Sequence, residues 1–157
     1  MDRITRVAIA LGSNIGCPGD RTAHLDFAAA QLPRFLKALS VSRWHDTEPV
    51  GVGAQPRFLN GAAVGETTGS ARELLERLLA LEHERGRERP FAGAPRTLDL
   101  DLVLFGDEIV NEPGLRVPHP RFRERRFVLE PLAEIAPAMI DPVTGRTIAA
   151  LLADLTF

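Results

Sequence analysis

The chain has 157 residues, a length that suits one domain with a sizeable apolar core. Its 45% apolar and 25% charged residues are typical of a globular protein and exclude a disordered or fibrous chain. The formal net charge of −2 argues against a surface for bulk nucleic acid. The single cysteine, Cys17, leaves neither a disulfide framework nor a cysteine metal site. We expect a single domain over residues 1–157.

Neither a signal-peptide pattern nor an apolar run of membrane-spanning length is found, so we expect a cytoplasmic protein without a membrane partner. Basic residues nevertheless cluster between Arg72 and Arg96 and between Arg116 and Arg126. Local positive patches on a near-neutral chain favour a small anionic ligand over a polymer. The expected partners are therefore small molecules, without nucleic acid, and the expected state is a monomer.

The N-terminal third predicts a strand, a helix and a second strand. Residues 7–11 are a short apolar run, which is typical of a buried strand. Apolar residues at helical spacing from 25 to 32 predict a helix that ends at Pro33. Residues 38–44 alternate weakly and predict a second strand, whereas the glycines and prolines of residues 45–57 predict a long loop. Loops of that length in a compact domain are usually functional.

The middle of the chain predicts a third strand at residues 58–64 and a well-capped helix. A Ser-Ala-Arg-Glu capping box at residues 70–73 opens the helix, and Gly86 ends it. Its apolar stripe consists of Leu74, Leu75, Leu78, Leu79 and Leu81. Glu82 also falls on this stripe, so its carboxylate lies either at the edge of the core near Arg85 or in a polar site.

The most informative stretch is a fourth strand within residues 95–105. Strict alternation predicts one face with Leu98, Leu100, Leu102 and Leu104 and the other with Asp99, Asp101, Val103 and Phe105. Aspartate is a poor strand former, and two carboxylates about 6.5–7 Å apart on one face repel each other unless a cation lies between them. The pair favours Mg²⁺ with substrate phosphates in its shell, and the alternative is a solvated edge with an incidental acidic pair.

The C-terminal part adds irregular structure and helices. Residues 117–120 are too rich in proline for regular structure and hold His119 in place. Residues 122–136 predict a helix that Pro131 either breaks or delays, and residues 148–155 predict a final helix. The whole order begins strand–helix–strand–strand–helix–strand, the ferredoxin-like βαββαβ pattern of an α+β fold. It predicts an antiparallel sheet with helices on one face and the active site on the open face.

Several polar residues are candidates for that site. Asn60 and Phe58 suit the donor–acceptor edge and flat surface of a planar heterocycle, with a turn asparagine and a core phenylalanine as the plain alternative. Arginines that could contact phosphates are Arg87, Arg89, Arg96 and Arg125. His119 is either a phosphate donor or a hydrogen-bonded loop histidine. Without a phosphate-binding glycine motif, metal and side chains would recognise the phosphates, which predicts phosphoryl-group transfer.

Residues 95–101, Pro-Arg-Thr-Leu-Asp-Leu-Asp, closely resemble the signature of the 6-hydroxymethyl-7,8-dihydropterin pyrophosphokinase family. The resemblance continues in order along essentially the whole chain, at residues 10–14, 47–51, 58–60, 82 with 86–87, 117–119 and 127–132. It implies transfer of pyrophosphate from ATP to the pterin hydroxymethyl group, with release of AMP, in folate biosynthesis. ATP is the implied co-substrate, and two Mg²⁺ ions are the implied cofactor.

The resemblance also implies residue roles. The implied metal ligands are Asp99 and Asp101, and the implied catalytic residues are Arg89, Arg96, Asp99 and Asp101. The implied ATP-binding residues are Glu82, Arg87, Arg89, Arg96, Leu102, His119 and Arg125. The implied pterin-binding residues are Thr47, Glu48, Val50, Phe58, Asn60 and Phe127.

Two other functions use the same features. A palm-type nucleotidyl transferase also carries paired aspartates on a ferredoxin-like sheet, but it releases pyrophosphate and does not need Phe58 and Asn60. A ligand-binding regulatory module of the same fold would tolerate the loss of both aspartates with little change in ligand affinity. The identity of the nucleotide product separates these functions.

Overall fold

The computed structural model describes residues 3–13, 18–47, 58–86 and 98–155. The strands are β1 (Thr5–Ser13), β2 (Lys37–Val41), β3 (His45–Thr47), β4 (Phe58–Thr67), β5 (Asp99–Phe105), β6 (Val110–Glu112) and β7 (Leu115–Val117). The α-helices are α1 (Pro18–Gln31), α2 (Ala71–Gly86), α3 (Arg126–Ile135) and α4 (Ile148–Asp154), with 3₁₀ turns at Leu32–Arg34 and Phe122–Glu124. None of the helices in these ranges is long and apolar enough to cross a membrane.

The main sheet has five strands, and every pair in it is antiparallel. Its order is β2–β4–β1–β5, with β3 also paired to β4. β1 and β4 are therefore central, and β5 is an edge strand in the described part of the chain. β6 and β7 form a separate two-stranded hairpin. The predicted class, helices with an antiparallel sheet, is confirmed.

β1 is buried on both sides, which explains its apolar composition. Val7, Ile9 and Leu11 point to one face and pack in a core with residues of α1 and α2, among them Leu25 and Leu78. Ala8 and Ala10 point to the other face. A strand covered on both faces reads as a continuous apolar run, as residues 7–11 do.

Helices cover both faces of the sheet, although the sequence predicted helices on one face alone. α1 and α2 lie on the face of Ile9, which we call the α1/α2 face. α3 and α4 pack on Ala62, Val64 and Leu104 of the opposite face, which we call the α3/α4 face. The reason is amphipathicity: α3 carries a buried apolar stripe that needs an apolar partner surface. The pattern of the first six elements contains no information about this later helix pair.

The predicted alternation of β5 breaks in its second half. Leu102 pairs with Ile9 and Leu104 pairs with Ala8, so Val103 is one residue more than β1 can match. This β-bulge puts both Val103 and Leu104 on the α3/α4 face and turns Phe105 to the α1/α2 face. The predicted faces of Leu104 and Phe105 were therefore wrong, whereas those of the residues before the bulge agree with the structure.

The helix signals agree with the structure, with one refinement. In α2, the Ser70 hydroxyl accepts from the Glu73 N–H at 3.1 Å, and the Glu73 carboxylate accepts from the Ser70 N–H at 3.0 Å. Residues 122–124 form a 3₁₀ turn, and α3 begins late, at Arg126, with Pro131 inside it. The helix continues through Pro131, the sixth of its ten residues, so the proline does not break it and its missing N–H removes one hydrogen bond inside the helix.

The loop predicted at residues 45–57 is only partly described. Residues 45–47 form β3, because pairing with the start of β4 overrides their weak local preference for a strand. Residues 48–57 and residues 87–97 lie outside the described part.

Candidate active site

Two rows of residues on the α3/α4 face form a trough at the end of the sheet where β5 begins. In the first row Asn60, Gly12 and Asp99 lie side by side on β4, β1 and β5. In the second row Ala62, Ala10 and Asp101 lie side by side on the same strands. Directly opposed residues share a face, so Asn60 of β4 and the two aspartates of β5 lie beside the small residues Gly12 and Ala10 of β1. We call these six residues the acidic trough.

Gly12 leaves the space between the polar groups of the first row. A Cβ at this position would lie 3.2 Å from Oδ1 of Asn60, so any side chain would press on the amide. With strands about 4.8 Å apart, Asn60 and Asp99 are separated by roughly 10 Å across the glycine. That gap is wide enough for a ligand to lie over β1 between an amide and a carboxylate.

The two aspartates have the exposure expected of ligand-binding carboxylates. Asp99 and Asp101 are both half-buried, and one intervening residue, Leu100, is buried on the other face. Within residues 3–13, 18–47, 58–86 and 98–155 no group of three or more histidine, cysteine, aspartate or glutamate side chains converges. In the described part, the protein's own contribution to a metal site here is therefore a carboxylate pair.

A cavity of about 290 Å³ lies beside β5, at the edge of the sheet. α2 supplies an apolar wall with Leu75 and Leu79, and β5 supplies Asp101 and Leu102. The remaining walls come from the β6–β7 hairpin and the turn after it, with Leu115, Arg116, His119 and Pro120. Because Asp101 also belongs to the acidic trough, this edge cavity and the trough are neighbours that share a carboxylate.

Glu82 faces the edge cavity, so the polar-site alternative for this residue is the correct one. Its carboxylate accepts a hydrogen bond of 2.6 Å from the backbone N–H of Leu100. Arg85 points elsewhere: it donates to Nδ1 of His24 at 2.9 Å and lies over the ring of Phe27. A carboxylate on the leucine stripe is thus explained by the exposed backbone of an edge strand, which needs an acceptor.

Two hydrogen bonds fix the position of His119, one through its backbone and one through its ring. Its N–H donates to the carbonyl of Val103 at 3.0 Å, and the N–H of Arg121 donates to its Nδ1 at 3.2 Å. Burial lowers the pKa of His119, and the positive charge of Arg125 lowers it further. The nearby carboxylate of Asp99 acts in the opposite direction but does not outweigh them. The ring is therefore neutral at pH 7, and its Nε2 carries the hydrogen as a donor.

Aromatic surface lies next to these polar groups. Phe58 begins β4, two residues before Asn60 and on the same side of the strand, and it pairs in register with Thr47 of β3. Phe127, near the start of α3, is 40% exposed, and the guanidinium of Arg125 lies 5.6 Å from its ring centre. Such exposure is unusual for a phenylalanine in a packed helix and provides a flat apolar surface.

The described residues bring most of the predicted site together. Those in or beside the trough and the edge cavity are Phe58, Asn60, Glu82, Asp99, Asp101, Leu102, His119 and Arg125, with Phe127 at the start of α3. Those outside the described part are Glu48, Val50, Arg87, Arg89 and Arg96, and of Thr47 only the backbone is described.

Two features of the site were missed from the sequence. Gly12 directly follows the apolar run at residues 7–11 and was not identified as part of a site, although a glycine within a strand often marks the close approach of another group. Leu79 was assigned to the buried stripe of α2, yet it is 51% exposed and lines the edge cavity. Periodicity identifies the stripe correctly but does not show that part of it faces a cavity instead of the sheet.

Comparison with solved structures shows which class of fold this is. The wild-type HPPK-DHPS protein of Plasmodium falciparum matches with a TM-score of 0.78 over 98% of this chain, at 12% sequence identity. The match covers 45% of that longer chain, so this chain spans under half of its length. At this identity the likeness establishes the fold alone: an α+β domain of the kind found in that protein.

Sequence comparison identifies the family. The model of the 7,8-dihydro-6-hydroxymethylpterin-pyrophosphokinase family matches residues 8–137. The pyrophosphokinase of Pseudomonas aeruginosa is 42% identical over 154 residues, which is 98% of this chain and 94% of the relative. That of Bacillus subtilis is 46% identical over 129 residues, covering 81% of this chain and 75% of the relative. The chain belongs to the 7,8-dihydro-6-hydroxymethylpterin-pyrophosphokinase family, and the predicted resemblance is confirmed.

Proposed function

We propose that this chain transfers the pyrophosphate group of ATP to the hydroxymethyl oxygen of 6-hydroxymethyl-7,8-dihydropterin and releases AMP, a step of folate biosynthesis. Membership of the family makes it an ATP-dependent pyrophosphokinase. The observation that carries the proposal is that Asp101 belongs to two adjoining recesses. The edge cavity suits a nucleotide and the acidic trough suits a flat heterocycle, so both substrates can meet at the carboxylate pair.

Asp99 and Asp101 are the proposed ligands of Mg²⁺, for which two ions are expected. The residues fit this group because the carboxylates are half-buried on one face and the small side chains of Ala10 and Gly12 leave room beside them. Hard oxygen donors suit Mg²⁺, which keeps open positions for phosphate oxygens. When bound, the metal would neutralise phosphate charge and orient the chain of phosphates.

The edge cavity is the proposed ATP site. Leu75 and Leu79 offer an apolar wall for the base, and the backbone of Leu102 lies on the edge of β5 between two anchored points. Those points are the Leu100 N–H held by Glu82 and the Val103 carbonyl held by His119. Backbone N–H and C=O groups of an edge strand can form hydrogen bonds with the polar edge of a base, as they would with another strand. Nε2 of His119 and the guanidinium of Arg125 then supply donors for phosphate oxygens.

The acidic trough is the proposed pterin site. The side chain of Asn60 is buried and can both donate to and accept from the ring edge of a pterin. Phe58 and Phe127 supply flat surfaces for the ring, and the backbone of Thr47 lies beside Phe58. Glu48 and Val50, which follow β3, are proposed to complete this site.

The proposed chemistry needs no protein nucleophile. The hydroxymethyl oxygen forms the new bond to the β-phosphorus and releases its proton to solvent, the bond from that phosphorus to the α,β-bridging oxygen breaks, and AMP leaves with the electron pair. The chain's contribution is to bring the two substrates together and to neutralise developing charge. Arg89 and Arg96 are proposed for charge neutralisation, and Arg87 for contact with ATP.

The finer features of the fold and setting are also proposals. The strand order β2–β4–β1–β5 and the connection order support a ferredoxin-like core, with the active site at the uncovered end of the α3/α4 face. The proposed enzyme is a cytoplasmic monomer, formed by the single domain 1–157, that acts on small molecules without nucleic acid or membrane partners.

One assay tests the proposal against its rivals. The purified chain is mixed with ATP, Mg²⁺ and 6-hydroxymethyl-7,8-dihydropterin, and the nucleotide product is identified by chromatography. We expect AMP to appear only when the pterin is present, together with a pyrophosphorylated pterin of matching amount. ADP would indicate ordinary kinase chemistry, and release of free pyrophosphate would favour a nucleotidyl transferase. ATP binding without any product would favour the regulatory module.

A further inference from the structure

Glu134, near the end of α3, connects this helix to the segment that leads into β3. The backbone N–H of Arg43 donates to Oε2 of Glu134 at 2.9 Å, and Nε of Arg43 approaches Oε1 at 3.4 Å. Nε2 of His45 lies 2.8 Å from the same Oε1. These partners are about 90 positions away in the sequence, so one carboxylate joins two distant parts of the fold through three contacts.

The same segment is held from the opposite face by the residue between Arg43 and His45. Nε1 of Trp44 donates to Oδ1 of Asp26 on α1 at 2.9 Å. The ring of Trp44 covers Gly61 so closely that a Cβ there would lie 2.5 Å from it. Residues 43–45 are therefore fixed on one side by α1 and β4 and on the other side by Glu134.

The contacts of Glu134 with Arg43 and His45, which we call the Glu134 anchor, lie next to the pterin side of the proposed site. β3 pairs with the first residues of β4, with His45 opposite Asn60 and Thr47 opposite Phe58. Glu134 is itself seven residues after Phe127, which is about two turns or 10 Å along α3. The carboxylate thus connects the helix that carries Phe127 to the strand pair that carries Phe58, the other proposed pterin-binding phenylalanine.

We infer that Glu134 is a positioning residue for pterin binding, which sets the spacing between Phe127 and the β3–β4 pair through Arg43 and His45. This inference rests on the proposed function. Glu134 lies on the side of α3 that meets β3, with its side chain 27% exposed, and it has no contact with the edge cavity among the described residues. Its removal should therefore weaken pterin binding and leave ATP binding unchanged.

The charge of Glu134 also supports its role in holding residues 43–45 on α3. The hydrogen bond from the Arg43 backbone lowers the pKa of Glu134, and the hydrogen bond with His45 lowers it further. The group is a carboxylate at neutral pH, where it accepts from Arg43 whatever the charge of His45. The anchor is thus in place under the conditions in which the enzyme would work.

The test compares three variants on the same helix. Glu134→Ala removes the anchor, and Glu134→Gln keeps an oxygen for the Arg43 N–H. Glu130→Ala, one turn earlier, is the matched control, because Glu130 pairs with Arg126 of its own helix at 2.7 Å. For Glu134→Ala we expect KM for the pterin to rise about tenfold, the loss typical of a hydrogen-bonded charged group, with KM for ATP unchanged. Glu134→Gln should restore most of the loss, and Glu130→Ala should behave as the wild type.

A structural readout accompanies the kinetics. Trp44 is the only tryptophan of the chain, so its emission reports on this anchor alone. We expect the emission to shift in Glu134→Ala and to remain at the wild-type position in Glu130→Ala. Equal rises in both KM values, or the same pterin defect in Glu130→Ala, would overturn the inference, since general loosening of the helix would then explain the result.

The inference and the proposed function can fail separately. If the wild-type chain forms no AMP, the proposed function falls. The affinity for the pterin is then measured by calorimetry in the presence of a non-hydrolysable ATP analogue. Weaker pterin binding by Glu134→Ala than by the wild type would still support the positioning role, whereas equal affinities or no pterin binding at all would overturn it.

Discussion

The two ends of the α3/α4 face are built from the same three strands but have opposite compositions. At one end Ala8, Val64 and Leu104 are buried beneath α3 and α4. At the other end, within a few residues along each strand, lie Asn60, Asp99 and Asp101, none of which belongs to the apolar core beneath α3 and α4. The sheet therefore acts as a single rigid support for an apolar core and a polar site side by side.

The difference shows where stability and function reside in this fold. Carboxylates and a glycine contribute little to packing and reduce strand propensity, so their presence at one end of a central sheet has no structural benefit. The packed end compensates, since its side chains are almost fully buried. Substitution of Asp99 or Asp101 should therefore change activity with little effect on stability, and substitutions at the packed end should do the reverse.

The largest expected effect is at the acidic trough. Asp101→Ala should reduce AMP formation by roughly a thousandfold or more, because one of the two carboxylates proposed to hold Mg²⁺ is lost. Its melting temperature should stay near the wild-type value, since the side chain makes no part of either apolar core. Asp107→Ala is the matched control, because Asp107 is 80% exposed and its ion pair is with Arg3. A normal rate for Asp101→Ala would contradict the metal assignment.

The packed end should show the opposite behaviour. Leu129 is fully buried between α3 and the sheet, so Leu129→Ala should lower the free energy of unfolding by about 2–5 kcal/mol. The kcat of the molecules that remain folded should change little. Denaturant titration measures the first quantity, and assays well below the melting temperature measure the second. Ile140→Ala, at an apolar position that is 55% exposed, should cost far less stability.

A smaller effect is expected where the floor of the trough is altered. In Gly12→Ala the new Cβ would lie 3.2 Å from Oδ1 of Asn60 and displace the amide by a few tenths of an ångström. We expect KM for the pterin to rise roughly three- to tenfold, as a misplaced hydrogen-bonding group would cause, while KM for ATP stays constant. The two KM values are measured by varying one substrate at saturation of the other. Equal effects on both would mean that Gly12 serves the strand and not the pterin.

Much of this arrangement was predictable from local signals in the sequence. The capping box at residues 70–73, the buried run at 7–11 and the acidic strand at 99–101 all depend on neighbours within a few positions, and all three agree with the structure. Sequence periodicity carries this information directly. It also correctly marked Glu82 as out of place on an apolar stripe.

What could not be predicted depends on distant parts of the chain. The bulge at Val103 arises from the register between β1 and β5, which a single strand does not contain. The packing of α3 on Ala62 and the hydrogen bond between His45 and Glu134 also depend on residues far apart in the sequence. Such features are decided by packing after the elements form, so only the structure reveals them.

The smallest expected effect is the pH dependence of stability that comes from His119, beside the edge cavity. Burial and neighbouring arginines lower the pKa of His119 below its ordinary value of 6.5, so the unfolded chain binds a proton at this residue more readily than the folded chain does. Stability from this residue is therefore complete above pH 6.5 and is lost as the pH falls through the lower folded pKa. In His119→Gln, the unfolding free energy should decline less steeply below pH 6.5 than in the wild type.

Denaturant titrations from pH 7.5 to 5 measure this slope, and His83→Gln is the control because His83 lies exposed on α2. An unchanged slope in His119→Gln would mean that the ring accepts its proton without penalty in the folded chain. The lowering of the His119 pKa by burial and by Arg125 would then be wrong, and with it the electrostatic part of the argument for a neutral donor to the ATP phosphates. The stability measurement thus tests a property of the site without any substrate present.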